Sequence, residues 1–132
     1  MHSRVVVLLG VPLRSDVAEA LLTAGYTPLE RDGMQRTMAT LRKEPVAGVL
    51  VGMRTCELDI LELLLNIGDV APNVPVGLIA GHTPFEAPLP MLEDFSNVVL
   101  LSESLPAEKQ VEGLCRLVES RRETRQPSEG NV

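Results

Sequence analysis

Few side chains in this sequence stand where they could do chemistry together. Arg54 lies just past the apolar run Val49-Leu50-Val51, and His82 just past Val76-Gly77-Leu78-Ile79. A guanidinium and an imidazole at such places suit an anion, and both are candidate ligand contacts. Glu57 and Asp59 follow Arg54 but read as solvated acids on a helix face. Ser102 and Ser104 read as caps of the last helix rather than as nucleophiles. No Ser–His–Asp order and no activating context for a cysteine can be assembled, so no catalytic residue is assigned. Gly10-Val11-Pro12 is not a dinucleotide fingerprint, and no phosphate-binding GKS or GKT occurs. Glu30 has roughly the spacing of a ribose-binding acid, but that role needs the missing glycines. Cys56 and Cys115 lack the spacing of a metal or redox pair and read as free, partly buried thiols. Neither a metal nor a cofactor is expected.

The elements that must position these groups follow from composition and periodicity. The 132 residues suffice for one domain with a substantial core, and 45% of them are apolar. Aromatics are only 2%, namely Tyr26, Phe85 and Phe95, so the core must be aliphatic. Scarce aromatics and a formal charge of −6 disfavour direct nucleic-acid binding. No apolar run approaches a membrane span, and the N-terminus lacks the apolar stretch of a signal peptide. The protein therefore reads as cytoplasmic.

Residues 4–9, 46–51, 74–79 and 98–101 are continuous apolar runs, the mark of strands buried on both faces. Thr27 to Glu30 is a short further strand. Between them, Val17, Ala20, Leu21 and Ala24 share one helical face, with Ser15 and Asp16 as caps and Gly25 as the stop. Gly33 to Lys43 reads as a second helix whose Met34, Met38 and Leu41 pack into the core. Cys56 to Ile67 reads as a third, with Ile60, Leu61, Leu64 and Ile67 inward, and Gly68 and Pro72 in the following turn. Pro84, Pro88 and Pro90 make residues 81–96 irregular. Pro106 opens a last helix with an apolar stripe of Val111, Leu114, Cys115 and Val118. Residues 1–122 are expected to form one domain, with 123–132 a flexible tail or linker.

Strands alternating with helices imply an α/β sandwich: a five-stranded parallel sheet in the flavodoxin-like order 2-1-3-4-5, helices on both faces. The site of such a sheet lies beyond the carboxyl ends of its strands, here residues 10–12, 52–55, 80–83 and 102–105.

The order and spacing of Gly10-Val11-Pro12-Leu13, Leu21-Leu22-Thr23-Ala24-Gly25-Tyr26, Glu62-Leu63-Leu64 and Pro72-Asn73-Val74-Pro75-Val76 resemble response-regulator receiver domains of the CheY-like family over residues 4–121. The resemblance implies a magnesium-binding acidic pair, a phosphoryl-accepting Asp, a hydroxyl and a Lys at the strand ends. The acidic pair falls on Leu9 and Gly10. The acceptor falls on Gly52, or on Val51 when counted from Pro45. The hydroxyl falls on Ala80, and the Lys on Ser104 or Ser102. None of these residues can do the chemistry its position requires. The pattern is similar to the divergent receiver domains that precede the ATPase module in some bacterial enhancer-binding transcription regulators, which have Gly at the acceptor and a proline-bearing fourth helix, here Gly81-His82-Thr83-Pro84.

The function this resemblance implies is a phosphorylation-independent receiver-like domain without enzymatic activity. It would act in bacterial two-component signalling or transcriptional control through contact with a protein partner or a second copy (a homodimer), using residues 84–122. The alternative is a small-ligand sensor of flavodoxin-like fold that binds an anion or nucleotide near Gly10, Gly52, Arg54 and His82.

Overall fold

The computed structural model describes residues 3–53, 60–81 and 95–130, with side chains described as far as residue 122. Five strands, β1 (Val5–Leu9), β2 (Thr27–Arg31), β3 (Gly48–Gly52), β4 (Val76–Ala80) and β5 (Val98–Ser102), form one parallel sheet in the order β2-β1-β3-β4-β5. This is the expected order. Among the described residues there are four helices: α1 (Arg14–Thr23), α2 (Gly33–Lys43), α3 (Ile60–Val70) and α4 (Ala107–Gly130). No helix of the described residues is long and apolar enough to cross a membrane.

The two-residue period of each strand divides the core between the faces of the sheet. Val6, Leu8, Leu50 and Ile79 meet Val17 and Leu21 of α1 and Val111, Leu114 and Val118 of α4. Val7, Leu9, Val49, Val51 and Leu78 point the other way, onto Met38 and Leu41 of α2 and Leu63, Leu64 and Ile67 of α3. The methionines of α2 are thus core residues, as the spacing predicts. Strands β3 and β4 are buried throughout, whereas the edge strand β2 is half-covered, its Pro28 facing the cost of an edge rather than of an interior.

Glycines in the central strands set how closely α4 lies. A Cβ on Gly48 would stand 3.3 Å from Leu114 Cδ2 of α4, and one on Gly77 would stand 2.7 Å from Leu50 Cδ2, 3.1 Å from Leu101 Cδ1 and 3.6 Å from Leu114 Cδ1. The leucines occupy the space those side chains would have taken.

Several local expectations give way. Helix α1 begins at Arg14 with Leu13 at its cap, so Ser15 and Asp16 lie inside the first turn and make no cap. Helix α3 passes through Gly68 to Val70, because the burial of Leu63, Leu64 and Ile67 outweighs a helix glycine's cost of about 1 kcal/mol. Leu61 is only half-buried, and Leu63 takes the inward place. Helix α4 spans Ala107–Gly130. Cys115, by contrast, is a free, half-buried thiol, as expected.

Helix α4 is fastened at two levels. Arg122 Nη2 donates to Ser3 O at 2.7 Å, beside the start of β1. At the other end the fully buried Gln110 Nε2 donates to the carbonyls of Ser102, Glu103 and Leu105 at 3.2, 3.5 and 3.2 Å. Between them Tyr26 and Cys115 meet under a cation–π contact, with the Arg4 guanidinium 5.6 Å from the Tyr26 ring centroid. Burial pushes the Cys115 thiol up, as does Glu119, against a hydrogen bond from Tyr26 and the charge of Arg122. Burial likewise raises the Tyr26 phenol, with Cys115 adding to it. Both groups prefer to stay protonated in the folded chain. The stability this contributes is complete below their ordinary values of 9.0 and 10.0, and is lost as pH rises through the raised values. The urea midpoint is therefore expected to hold at neutral pH and to fall above about pH 9. The Tyr26→Phe, Cys115→Ala double variant should flatten that fall.

Candidate functional site

The carboxyl ends of the strands come together as the topology requires. The order of the sheet reverses at the β1/β3 junction, so a crevice for a ligand is expected between the loops that follow these two strands. Among the described residues, backbone occupies the space in front of Gly52. Gly10 adopts φ +62°, a conformation glycine takes without strain. A Cβ built on Gly52 overlaps Gly10 O, lies 2.8 Å from the Gly10 carbonyl carbon and 2.9 Å from Pro12 Cδ. Gly52 does not have positive φ; space alone demands glycine there. Of the two registers for the acceptor, both Val51 and Gly52 belong to β3 and are buried.

The remaining positions are equally committed to structure. Leu9 is buried in the core against α2 and α3. Ala80 ends β4, and its carbonyl accepts the Glu103 N–H at 2.8 Å, while Ile79 O accepts the Met53 N–H at 2.9 Å. The loops after β3 and β5 are thereby tied to β4. The Ser102 and Ser104 hydroxyls share a hydrogen bond at 2.7 Å, and the Ser104 N–H donates to Ser102 Oγ at 3.2 Å. The serines therefore shape the β5–α4 loop and do not cap α4. The cap position belongs to Pro106, whose carbonyl accepts from Lys109 and Gln110 N–H at 2.9 and 3.1 Å. The Lys position carries no ammonium: Lys109 lies a turn into α4, 3.5 Å from Glu112.

The structure thus brings Leu9, Gly10, Gly52, Ala80 and Ser104 to one edge of the sheet. Arg54 and His82 lie outside the described residues, as do Glu57, Asp59, Cys56 and the part of the expected contact surface from 84 to 94. Among the described residues no group of three or more His, Cys, Asp or Glu could hold a metal ion.

Two surfaces went unread in the sequence. A groove of about 740 Å³ between α1 and α4 has Ala20, Val111 and Cys115 in its lining and a rim of Asp16, Glu19, Glu108, Glu112 and Glu119 against Arg116. Leu13 stands at its end, 57% exposed and with φ +54°, a strained conformation for a leucine. On the β2 side, a cleft of about 680 Å³ reaches from Gly10 and Val11 to α2. Its signal in the sequence is Arg36, Thr40 and Lys43, three polar residues at the spacing of one helical face.

No family model matches the chain, and no curated protein matches it. Solved structures do. A response regulator receiver protein from Sinorhizobium medicae superimposes with a TM-score of 0.71 at 17% identity, covering 90% of this chain and 97% of that one. A CheY-like receiver domain protein from Methanospirillum hungatei gives 0.76 at 12% identity, covering 94% and 99%. NtrX from Brucella abortus gives 0.79 at 20% identity, covering 98% of this chain but 29% of that one. Strand order, helix placement and these superpositions agree: the chain has the fold of the response-regulator receiver domains.

Proposed function

We propose that this protein is a receiver-like signalling module that works without phosphorylation, through contact with another protein. The observation that carries this is the closed acceptor position. A carboxylate on Gly52 would need room that Gly10 O and Pro12 occupy, so the site is filled as well as chemically substituted. A receiver that transfers phosphate needs a metal, an acceptor and a cation converging on one point. Leu9, Gly10, Ala80 and Ser104 offer none of these groups.

Support for a contact role comes from the surface of β5 and α4. Leu100 is 43% exposed on an edge strand, and Leu105 follows it in the loop. These belong to the surface 84–122, proposed as the interface with a protein partner or a second copy. The carboxylates along α1 and α4 favour a basic partner over self-association on that flank, since like charges would face each other across a two-fold interface. The setting that fits is bacterial two-component signalling or transcriptional control in the cytoplasm, and no catalytic step is proposed.

Incubation with acetyl phosphate and magnesium followed by intact-mass measurement tests this directly. The expected spectrum is that of the untreated protein. A stable single phosphoryl adduct would overturn the reading.

A further inference from the structure

At the β1/β3 junction Gly10 and Pro12 occupy the space in front of Gly52, but the cleft one strand over is open. It lies at the carboxyl ends of β1 and β2, between the Gly10–Val11 loop, Arg14 of α1, the Glu30–Arg31 end of β2 and the Arg36–Lys43 flank of α2. Four cations line it, Arg14, Arg31, Arg36 and Lys43, in a chain whose net charge is −6.

The arrangement of these cations is more than a surface average. Arg14 is spent on Glu30, Nε to Oε2 at 3.0 Å, which removes that carboxylate from competition. Arg31 is half-buried and held on two sides. Its Nε donates to Thr40 Oγ1 at 2.8 Å and its Nη1 to Glu30 O at 2.9 Å. Thr40, itself buried, is oriented by donating to Arg36 O at 3.0 Å. Neither bond neutralises the guanidinium, and among the described residues Arg31 has no ion pair. Its orientation is fixed before any ligand arrives, so little side-chain entropy remains to be lost on binding. Arg36 and Lys43, exposed on the same helix face, have no ion pair among the described residues either. The other acids of the cleft, Asp32 and Glu44, flank α2 at its two ends.

We propose that this cleft binds a compact polyanion, a small molecule carrying two or more phosphate or carboxylate groups, with Arg31 as the fixed fork and Arg36 and Lys43 closing on it. The volume is within the range of small-ligand sites and larger than one phosphate needs. Among the described residues no aromatic ring lines the cleft, so a nucleobase gains no stacking from them and the anionic groups carry the recognition.

The test is an amide chemical-shift titration with pyrophosphate at constant ionic strength, with citrate and ATP as further arms. Saturable shifts are expected at Gly10, Val11, Arg31 and Thr40. Arg36→Gln, at an exposed position that leaves the fold intact, should weaken pyrophosphate about tenfold, as should Arg31→Lys, which keeps the charge but loses the fork. Arg42→Gln, on α2 but outside the cleft, should leave binding unchanged. A citrate response at the same amides assigns the site to oxyanions generally; a response to pyrophosphate alone assigns it to phosphates. ATP should bind no more than a fewfold tighter than pyrophosphate. Absence of saturable shifts at about 10 mM pyrophosphate would overturn the proposal. So would an effect of Arg42→Gln equal to that of Arg36→Gln, or ATP binding tighter by two orders of magnitude. A negative result here leaves the phosphorylation-independent reading standing, because that reading is decided by intact mass after acetyl phosphate treatment.

Discussion

Gly52→Asp is expected to cost the fold about 3 kcal/mol and to create no phosphoryl acceptor. The substitution is the obvious attempt to restore receiver chemistry, and the obstacle to it is steric. Any Cβ at this position overlaps Gly10 O and crowds Pro12 Cδ, both parts of a loop in which proline restricts relaxation. Most of the loss should therefore appear already in Gly52→Ala, which adds the Cβ without the carboxylate. Denaturant midpoints for the two variants, read beside intact mass after acetyl phosphate treatment, separate the possibilities. A Gly52→Asp protein of unchanged stability that takes up phosphate would mean that the strand ends can open.

Leu114→Ala should destabilise by about 3 kcal/mol, the range for deleting a fully buried leucine side chain. Leu114 is the residue through which α4 rests on the glycines of the sheet, its methyls 3.3 and 3.4 Å from where a Gly48 Cβ would be. That geometry makes a sharper prediction. Gly48→Ala alone should be destabilising, because Leu114 must give way. In the Leu114→Ala background the new methyl enters the vacated space, so its cost should shrink by about 1 kcal/mol or more. Additive losses across the four-protein cycle would show that Gly48 is required for some reason other than the leucine.

What the sequence made readable was the part governed by long, repeated patterns. Val5 to Leu9, Val49 to Gly52 and Val76 to Ala80 are apolar on both faces, which only a covered parallel sheet explains, and the crossover rule then leaves few strand orders. The Met34–Met38–Leu41 stripe was readable for the same reason. Single-residue signals did worse. Gly68 looks like a stop, yet the helix runs through it because its neighbours are anchored in the core. Ser15, Asp16, Ser102 and Ser104 look like caps, yet the backbone caps are Leu13 and Pro106, since chain entry is fixed by tertiary geometry. The candidate site was legible as a list of positions but not as a filled volume. The meeting of Gly10 with Gly52 is a contact between two strands, set by register and by one positive φ. The cationic cleft was legible only on its α2 side, where Arg36, Thr40 and Lys43 share a face; Arg31 and Thr40 belong to different elements whose approach no periodicity announces.

The two fastenings of α4 have a mechanical consequence. Gln110 holds it to the loop at the carboxyl edge of the sheet, and Arg122 holds it to Ser3 at the opposite edge. A rod pinned at two separate levels cannot pivot about either one. Any rearrangement of the β5–α4 loop that shifts α4 as a body must drag or break the Arg122–Ser3 link, so a disturbance at one rim of the sheet is felt at the other without passing through the strands. In that sense α4 is a strut, and the strength of its weaker pin sets the load at which the two rims uncouple.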